Sequence, residues 1–339
     1  MTHPTESNPQ QRQFRRHRTR RRPVVSVCIV NWNCRALLRG CLKSLSPALQ
    51  KVRLEVIVVD NASTDGAAAM VARCFHRVVL IRNVTNVGFA KANNQAASRA
   101  RGRYLFFLNN DTVVPPGALR RLLDYARTRP DAGLIGPRLR NGHGRIQTSC
   151  RRRPMIGALL HRTCLLRWTG LFRRAYRRYR ERDSDLQTTQ PVEVLMGAAL
   201  LMRRRVFAEL GPWDEEYTFG GEDIDLCTRV AKKHPVLYHP GVEITHYGRV
   251  SSRKHIGFAH TNTIIGITRF LRKSGCSRSA LLVYKLVITC DVPLQWLGHA
   301  VQYGWRRMRG QRERAAKSLV VLRGVQHFLT HGLASFWNA

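Results

Sequence analysis

The stretch Glu55-Val-Ile-Val-Val-Asp60-Asn-Ala-Ser-Thr-Asp65-Gly66 combines a short apolar strand with a polar turn directly after it. Residues 24–30 before it and residues 103–108 after it have the same composition, and each is followed by asparagines. Apolar residues at helical spacing lie between such strands, as at residues 37–45. Because strands alternate with helices, the sequence predicts an α/β fold around a mostly parallel, Rossmann-like sheet.

Polar side chains stand where the predicted strands end. Asn31 follows the first strand, Asp60 and Asn61 close the second, and Asn109-Asn110-Asp111 follow a later one. Ligands of open α/β sheets bind beyond the carboxyl ends of the strands, so we expect a binding site here. Asp60 could accept hydrogen bonds from a base or a ribose; the alternative is that it only caps a turn. Gly88, before a predicted helix, permits a phosphate to approach the backbone.

The acidic residues are concentrated in one segment. The chain has 21 acidic and 58 basic residues, and six of the acidic ones fall within residues 214–225. Glu222, Asp223 and Asp225 open a predicted helix at residues 222–233, where the helix dipole favours negative charge. The other interpretation is that they act as a general base or face a metal.

The net charge of +37 predicts an anionic partner: a nucleic acid, an anionic membrane face or a phosphorylated substrate. The nine cysteines include no C-x-x-C pair and indicate reduced thiols in a cytosolic compartment. Residues 1–23 are predicted to be a disordered basic tail rather than a signal peptide. Residues 151–182 mix arginines with aromatic residues, which suits a basic lid or an amphipathic helix.

The apolar segment at residues 280–293 is interrupted by Lys285, Asp291 and Pro293. We therefore expect a helix lying on a surface rather than one crossing a membrane.

Six motifs complete a pattern when they are taken together. In chain order they are Val27-Cys-Ile-Val-Asn31-Trp-Asn33, Val58-Val-Asp60-Asn-Ala-Ser-Thr-Asp65-Gly66, Asn86-Val-Gly-Phe-Ala90, Leu108-Asn-Asn-Asp111, Gly220-Gly-Glu-Asp223-Ile-Asp225 and His246-Tyr-Gly248. This pattern resembles family 2 glycosyltransferases of the GT-A fold, and within that family the bacterial rhamnosyltransferases. The resemblance covers roughly residues 24–275.

The resemblance implies inverting transfer of a sugar such as rhamnose from a dTDP- or UDP-linked donor. The acceptor would be a hydroxyl of a glycan or a lipid-linked sugar, in cell-surface polysaccharide or lipopolysaccharide assembly. Asp223 matches the catalytic base, and Asp111 and His246 match ligands of a divalent cation, Mg2+ or Mn2+. The positions matched to donor-binding residues are Asn31, Asp60, Asn61, Gly88 and Asn93. The positions matched to the acceptor side are Trp213, Glu222 and Asp225.

One departure concerns the metal motif. The turn Asn109-Asn110-Asp111 offers a single carboxylate where many relatives have two. Asparagine is a neutral and weaker ligand for a hard cation, so we expect the cation to be held loosely.

Two other functions fit parts of the sequence. The basic charge suits a nucleic-acid-binding protein, but the predicted cleft residues are acidic, so we expect no nucleic acid there. A nucleotidyltransferase would carry a Gly-rich basic loop after the first strand, and Asn31-Trp32-Asn33 is not one. We expect a GT-A domain at residues 24–260 and a helical basic extension at residues 261–339. Basic segments would hold the protein peripherally on the cytoplasmic face of an anionic membrane.

Overall fold

The computed structural model describes residues 22–180, 186–248 and 255–339. Part of the predicted basic tail, residues 1–21, lies outside the described residues. The strands are β1 (Val25–Asn31), β2 (Leu54–Asn61), β3 (Val78–Asn83), β4 (Tyr104–Leu108), β5 (Thr112–Val113), β6 (Leu134–Arg140), β7 (Ile146–Gln147), β8 (Cys150–Arg151), β9 (Gln190–Pro191), β10 (Val194–Leu195), β11 (Ala199–Arg203) and β12 (Val236–His246).

Helices connect the strands, and the described residues after β12 form further helices up to Asn338. They are α1 (Arg35–Lys51), α2 (Ala67–Cys74), α3 (Phe89–Arg99), α4 (Ala118–Thr128), α5 (Ile156–Leu160), α6 (Arg173–Arg180), α7 (Arg204–Leu210), α8 (Glu222–Ala231), α9 (Ile256–Lys273), α10 (Arg278–Met308), α11 (Arg312–His327) and α12 (Leu333–Asn338), with a π-helical turn at Phe328–Gly332.

The main sheet has ten strands, eight of them in the order β3-β2-β1-β4-β11-β6-β12-β5. The first four are parallel to one another, β11 is antiparallel to both of its neighbours, and β12 is again parallel to β6. The predicted mostly parallel α/β sheet is therefore confirmed. Strand β8 pairs with β10 in a separate small sheet beside it.

Strand β12 is irregular in its middle. It is a single strand, but its pairing with β6 has a register shift between His239 and Glu243. Pro240 and Gly241 lie at the shift. Proline cannot donate to the ladder, so the irregularity is absorbed as a bulge and the strand continues.

The central strands are buried on both faces. Along β1, Val25, Val27 and Ile29 pack against α1, α2 and α4, while Cys28 belongs to the opposite core with α3, α7 and α8. This alternation follows from the two-residue period of a strand.

A third core lies among the C-terminal helices. It joins α9, α10, α11 and α12 through Leu271, Tyr284, Val325 and Phe336. The predicted division between residues 260 and 261 falls inside α9, where it would cut a continuous helix. A boundary at Ile256, where α9 begins, keeps the backbone hydrogen bonds of this helix intact.

Helix α10 is continuous through Pro293. Among the described residues it is the one helix long and apolar enough to cross a membrane by length and composition alone, and 28% of its most apolar window is buried. The two charged residues that interrupt the apolar segment have polar partners: Lys285 donates to the Trp337 carbonyl and Asp291 accepts from the Leu165 N–H. Both charged groups therefore face inward, toward polar partners.

Helix α9 touches the turn that precedes α8. The backbone of Gly266 lies so close to the Gly220 carbonyl that a methyl group at position 266 would overlap it. Both Gly220 and Gly221 have positive φ angles, +81° and +99°, which disfavour other residues. Close glycine packing thus fixes the C-terminal helices against the start of α8.

We predict that Gly266→Ala lowers the free energy of unfolding by about 1–3 kcal/mol, because the added methyl must push two backbones apart. The matched control is Gly298→Ala in α10, where nothing lies within 4 Å of the new methyl. That variant should be unchanged or about 0.5–1 kcal/mol more stable. Denaturant unfolding of both proteins gives the comparison, and equal stabilities would contradict the packing described above.

Candidate active site

A cavity of about 260 Å³ lies beyond the carboxyl ends of β1, β2 and β4. The start of α8 and the end of β12 complete its polar wall. Its polar lining residues are Asn61, Asn86, Asn109, Asn110, Asp111, Thr218, Glu222, Asp223, His246 and His255. The strand ends that the sequence singled out therefore meet at one place.

The predicted donor-binding residues divide into two groups. Asn61 and Gly88 line the cavity. Asn31 and Asp60 lie behind it, 0% and 4% exposed, where the Asn31 amide donates to Asp60 at 3.1 Å and accepts from Asn110 at 2.7 Å. In this conformation they hold the turns in place and do not line the cavity.

Asn93 does not reach the cavity. Its side chain is 1% exposed and donates to the Phe89 carbonyl at 3.0 Å within α3. Gly88, with φ of +88°, packs its backbone near Thr218 immediately before α3 begins. The N-terminus of α3, with its partial positive charge, therefore borders the cavity.

Asp111 and His246 face each other across the end of the sheet. The His246 Nε2 atom lies 3.3 Å from Asp111 Oδ1, and both side chains are buried. His246 Nδ1 lies 2.9 Å from Gln147 Oε1, while the Gln147 amide donates to the His246 carbonyl. Since an amide oxygen only accepts, Nδ1 carries the proton, and in the neutral ring the Nε2 lone pair points at the carboxylate.

Two electron-rich atoms that face each other in a buried place favour a proton or a cation between them. The Asp111–His246 pair thus fits a divalent cation in its donor set. Among the described residues there is no group of three or more His, Cys, Asp or Glu side chains that could hold a metal. Further ligands would have to come from a substrate or from water.

Glu222 and Asp223 are buried at the first turn of α8, and both line the cavity. Burial, and then the negative charge of Asp223, raises the pKa of Glu222 to about 8. Within the described chain, Glu222 Oε2 has no hydrogen-bond partner. Near neutral pH Glu222 is therefore mainly a neutral acid that can donate a hydrogen bond into the cavity.

Asp223 is surrounded by donors. Arg151 Nη2 lies 3.1 and 3.0 Å from its two carboxylate oxygens, and the backbone N–H groups of Ile224 and Gly197 donate at 2.9 and 3.3 Å. These three groups orient the Asp223 carboxylate. The adjacent acids of α8 therefore differ in their surroundings, because Asp223 is held by donors while Glu222 Oε2 has no partner within the described chain.

Two residues expected on the acceptor side lie elsewhere. Trp213 is 0% exposed and packs edge-on against Phe89 and Phe107, so it belongs to the core. Asp225 is not among the lining residues and pairs with Arg229 at 2.8 Å, one turn along α8. For Trp213 the expectation of acceptor contact is wrong in this structure, because an indole without exposed surface cannot touch a substrate.

An aromatic part of the cavity wall includes two residues that the sequence did not single out, His255 and Phe258. Trp32 stacks on His255 with ring centroids 4.2 Å apart, and Phe258 meets Trp32 edge-on. All three line the cavity. His255 and Phe258 stand at the start of α9, outside the six motifs, and the packing of this helix brings them here.

Residues 26–211, more than half of the chain, match the protein family described as glycosyl transferase family 2. The chain belongs to this family. It is 29% identical over 276 residues to the N-acetylglucosaminyl-diphospho-decaprenol L-rhamnosyltransferase of Mycobacterium tuberculosis, across 76% of this chain and 88% of that protein. The expected family 2, rhamnosyltransferase-like glycosyltransferase is thereby confirmed.

Solved structures agree on the fold. A mannosyltransferase of Pyrobaculum calidifontis in complex with GDP-Man and Mn2+ matches 94% of this chain and 88% of its own, with a TM-score of 0.53 and 16% identity. A structure of GalNAc-T7 with UDP, GalNAc and Mn2+ matches 66% of this chain and 43% of its own, with a TM-score of 0.50 and 17% identity. The predicted GT-A fold of the transferase is confirmed.

We predict that Glu222→Gln stabilises the transferase relative to the wild type increasingly as pH rises from about 4.5 to about 8. Because the pKa of Glu222 is higher in the folded protein than in the unfolded chain, a rise in pH ionises Glu222 in the unfolded chain first. The free energy of unfolding of the wild type therefore falls over this pH range, while that of Glu222→Gln has no such contribution. Below the unfolded pKa the two proteins should be alike. Urea unfolding at several pH values measures the difference; a difference that does not change with pH would contradict the raised pKa.

Proposed function

We propose that the transferase moves a rhamnosyl group, with inversion, from dTDP-rhamnose to a hydroxyl of a lipid-linked diphosphosugar in polysaccharide assembly. A UDP-linked donor is the alternative nucleotide. The observation that carries the proposal is that Asp111 and His246 line the same cavity as Glu222 and Asp223. The cavity thus combines a residue pair suited to a cation-bound diphosphate with a carboxylate suited to an acceptor hydroxyl.

The name of the Mycobacterium tuberculosis relative supports the sugar and the acceptor class. That protein is an L-rhamnosyltransferase acting with N-acetylglucosaminyl-diphospho-decaprenol. The similarity extends over 88% of its length.

Asp223 is proposed as the general base. It takes the proton of the acceptor hydroxyl while that oxygen bonds to the anomeric carbon and the bond to the donor diphosphate breaks. The diphosphate leaves with the bonding electron pair. The N–H groups of Gly197 and Ile224 hold the Asp223 carboxylate in place, and neutral Glu222 donates a hydrogen bond that orients the acceptor.

Asp111 and His246 are proposed to hold Mg2+ or Mn2+. Such a cation, when bound, neutralises the charge that gathers on the leaving diphosphate. Gln147 fixes the His246 ring so that Nε2 faces Asp111, where the pair would hold the cation. Asn61 and Gly88 border the donor, and the N-terminus of α3 supports its phosphates.

We predict that Asp223→Asn lowers the turnover number by about 10²- to 10⁴-fold, because the amide cannot take a proton. Donor binding should survive, since the donor does not need this carboxylate. Transfer assays with dTDP-rhamnose and a lipid-diphosphate N-acetylglucosamine acceptor measure turnover, and thermal shifts with a panel of nucleoside-diphosphate sugars and Mg2+ or Mn2+ measure donor binding. Asp124→Asn, on the exposed side of α4, is the control with normal activity. Near-normal turnover of Asp223→Asn would overturn the assignment.

The proposed location is the cytoplasmic face of an anionic membrane, and α10 supports it. From Leu282 to Met308 an apolar stripe at three- and four-residue spacing faces away from the protein. Its exposed members are Leu282, Leu286, Leu294, Leu297, Val301, Trp305 and Met308. The two charged residues within this stretch before residue 306, Lys285 and Asp291, are buried. An ordinary surface helix buries its apolar face and exposes its charged residues, whereas this part of α10 does the reverse.

An anionic lipid surface fits this stripe better than a second protein. Arg306, Arg307, Arg309 and Arg312 follow its apolar residues, and basic residues near such a surface gain about 1 kcal/mol each. Side chains on the inner face of α10 make hydrogen bonds to the backbone of Leu165 and Trp337. If α10 crossed the membrane, the parts of the protein around these two residues would have to enter the lipid as well. We therefore propose that α10 lies in the membrane plane.

We predict that Leu297→Glu reduces binding to anionic liposomes by about tenfold or more, because a charge replaces an exposed leucine that would be buried in lipid. Val79→Glu, on the edge strand β3 and also exposed, is the matched control and should bind like the wild type. Flotation with anionic and neutral vesicles measures this. Equal recovery of the wild type with both vesicle types would contradict the proposed binding to an anionic surface. If the wild type forms dimers and Leu297→Glu does not, the exposed stripe of α10 binds a second copy of the chain instead.

A further inference from the structure

The Arg151–Asp223 ion pair raises a difficulty for catalysis. A general base must accept the proton of the acceptor hydroxyl, yet Arg151 Nη2 sits 3.1 and 3.0 Å from the two Asp223 oxygens. A guanidinium in this position occupies both carboxylate oxygens and blocks the approach of the acceptor hydroxyl from that side. The base is thus masked in this conformation, and something has to move Arg151 when the acceptor arrives.

Arg151 reaches the base from outside the main sheet. It ends β8, whose partner β10 places Val194 opposite it. Its side chain is 45% exposed, whereas that of Asp223 is 12% exposed. Part of the Arg151 side chain is therefore open to solvent, while the carboxylate beneath it is enclosed.

The surroundings of Arg151 favour an anion. Tyr179 on α6 lies within electrostatic reach of its guanidinium. The exposed arginines of this helix are Arg173, Arg174, Arg177 and Arg178. In the parts of the chain that the structure describes, none of the four takes part in an ion pair with a carboxylate. These exposed basic residues thus share a helix with Tyr179, near Arg151.

We propose that Arg151 is the inner residue of a phosphate-binding subsite for the acceptor diphosphate, and that it masks Asp223 until this diphosphate binds. The proposal rests on the lipid-linked acceptor of the proposed function. Phosphate and carboxylate oxygens both match the planar guanidinium, so one partner replaces the other with little loss of hydrogen bonding. The freed Asp223 then meets the hydroxyl on the same acceptor. Arg151 is a positioning residue that selects phosphorylated acceptors.

The test compares two acceptors that carry the same sugar, one on a lipid diphosphate and one on a neutral alkyl chain. For Arg151→Gln we expect kcat/KM with the diphosphate acceptor to fall by roughly tenfold or more, mainly through KM, because a charge-assisted contact is lost. With the neutral acceptor, kcat should be unchanged or higher, because Asp223 is no longer masked. Arg151→Lys should recover part of the diphosphate preference, since it keeps the charge without the planar fork.

Arg153→Gln is the matched control. Arg153 is two residues along the chain and 49% exposed, but it pairs with Glu193 rather than Asp223. It should keep the acceptor preference of the wild type. Equal losses with both acceptors in Arg151→Gln would overturn the subsite and make Arg151 a structural support of Asp223, and unchanged kinetics would overturn both roles. A folded wild type that binds donor but transfers sugar to neither acceptor would overturn the proposed function together with this inference.

Discussion

The antiparallel pairing of β11 with β4 is the constraint on which the site depends. Strand β4 ends at Leu108, which lies opposite Ala199, the first residue of β11. The residues after β4 therefore lie beside those that precede β11, and the Asn109 N–H donates to the Ala198 carbonyl at 2.9 Å. Gly197 in turn donates to Asp223. One reversal of strand direction thus brings the turn of Asp111 close to Asp223, the proposed base at the start of α8.

Charge is arranged in layers around this junction. The enclosed groups are acidic, and the basic residues of this strongly positive chain lie outside them. Burial and the negative charge of Asp223 raise the pKa of Glu222, while Arg151 and two backbone N–H groups donate hydrogen bonds to Asp223. Two neighbouring acids of one helical turn can therefore take different parts in a proton transfer, since two buried negative charges side by side would cost too much.

The C-terminal helices contribute to the cavity wall as well as to their own core. Helix α9 supplies His255, Phe258 and Ala259 to the cavity wall and packs through Gly266 on the turn before α8. It also shares a core with α10, whose apolar stripe faces outward. Continuous packing thus joins the proposed lipid-facing surface to the turn before α8. This arrangement suits an enzyme whose acceptor would arrive from a membrane.

The sequence by itself determined the fold class, the family and the residues Asn61, Gly88, Asp111, Glu222, Asp223 and His246 that meet at the cavity. It could do so because apolar strands ending in polar turns place those turns at one edge of a parallel sheet. Only the tertiary structure decided that Trp213 and Asn93 belong to the interior, that Asp60 stands behind the cavity, and that His255 and Phe258 line it. It also decided that Arg151 covers Asp223, 72 residues away in the chain. Residue spacing fixes which way a side chain faces within its own element, but the partner it meets depends on how distant elements pack.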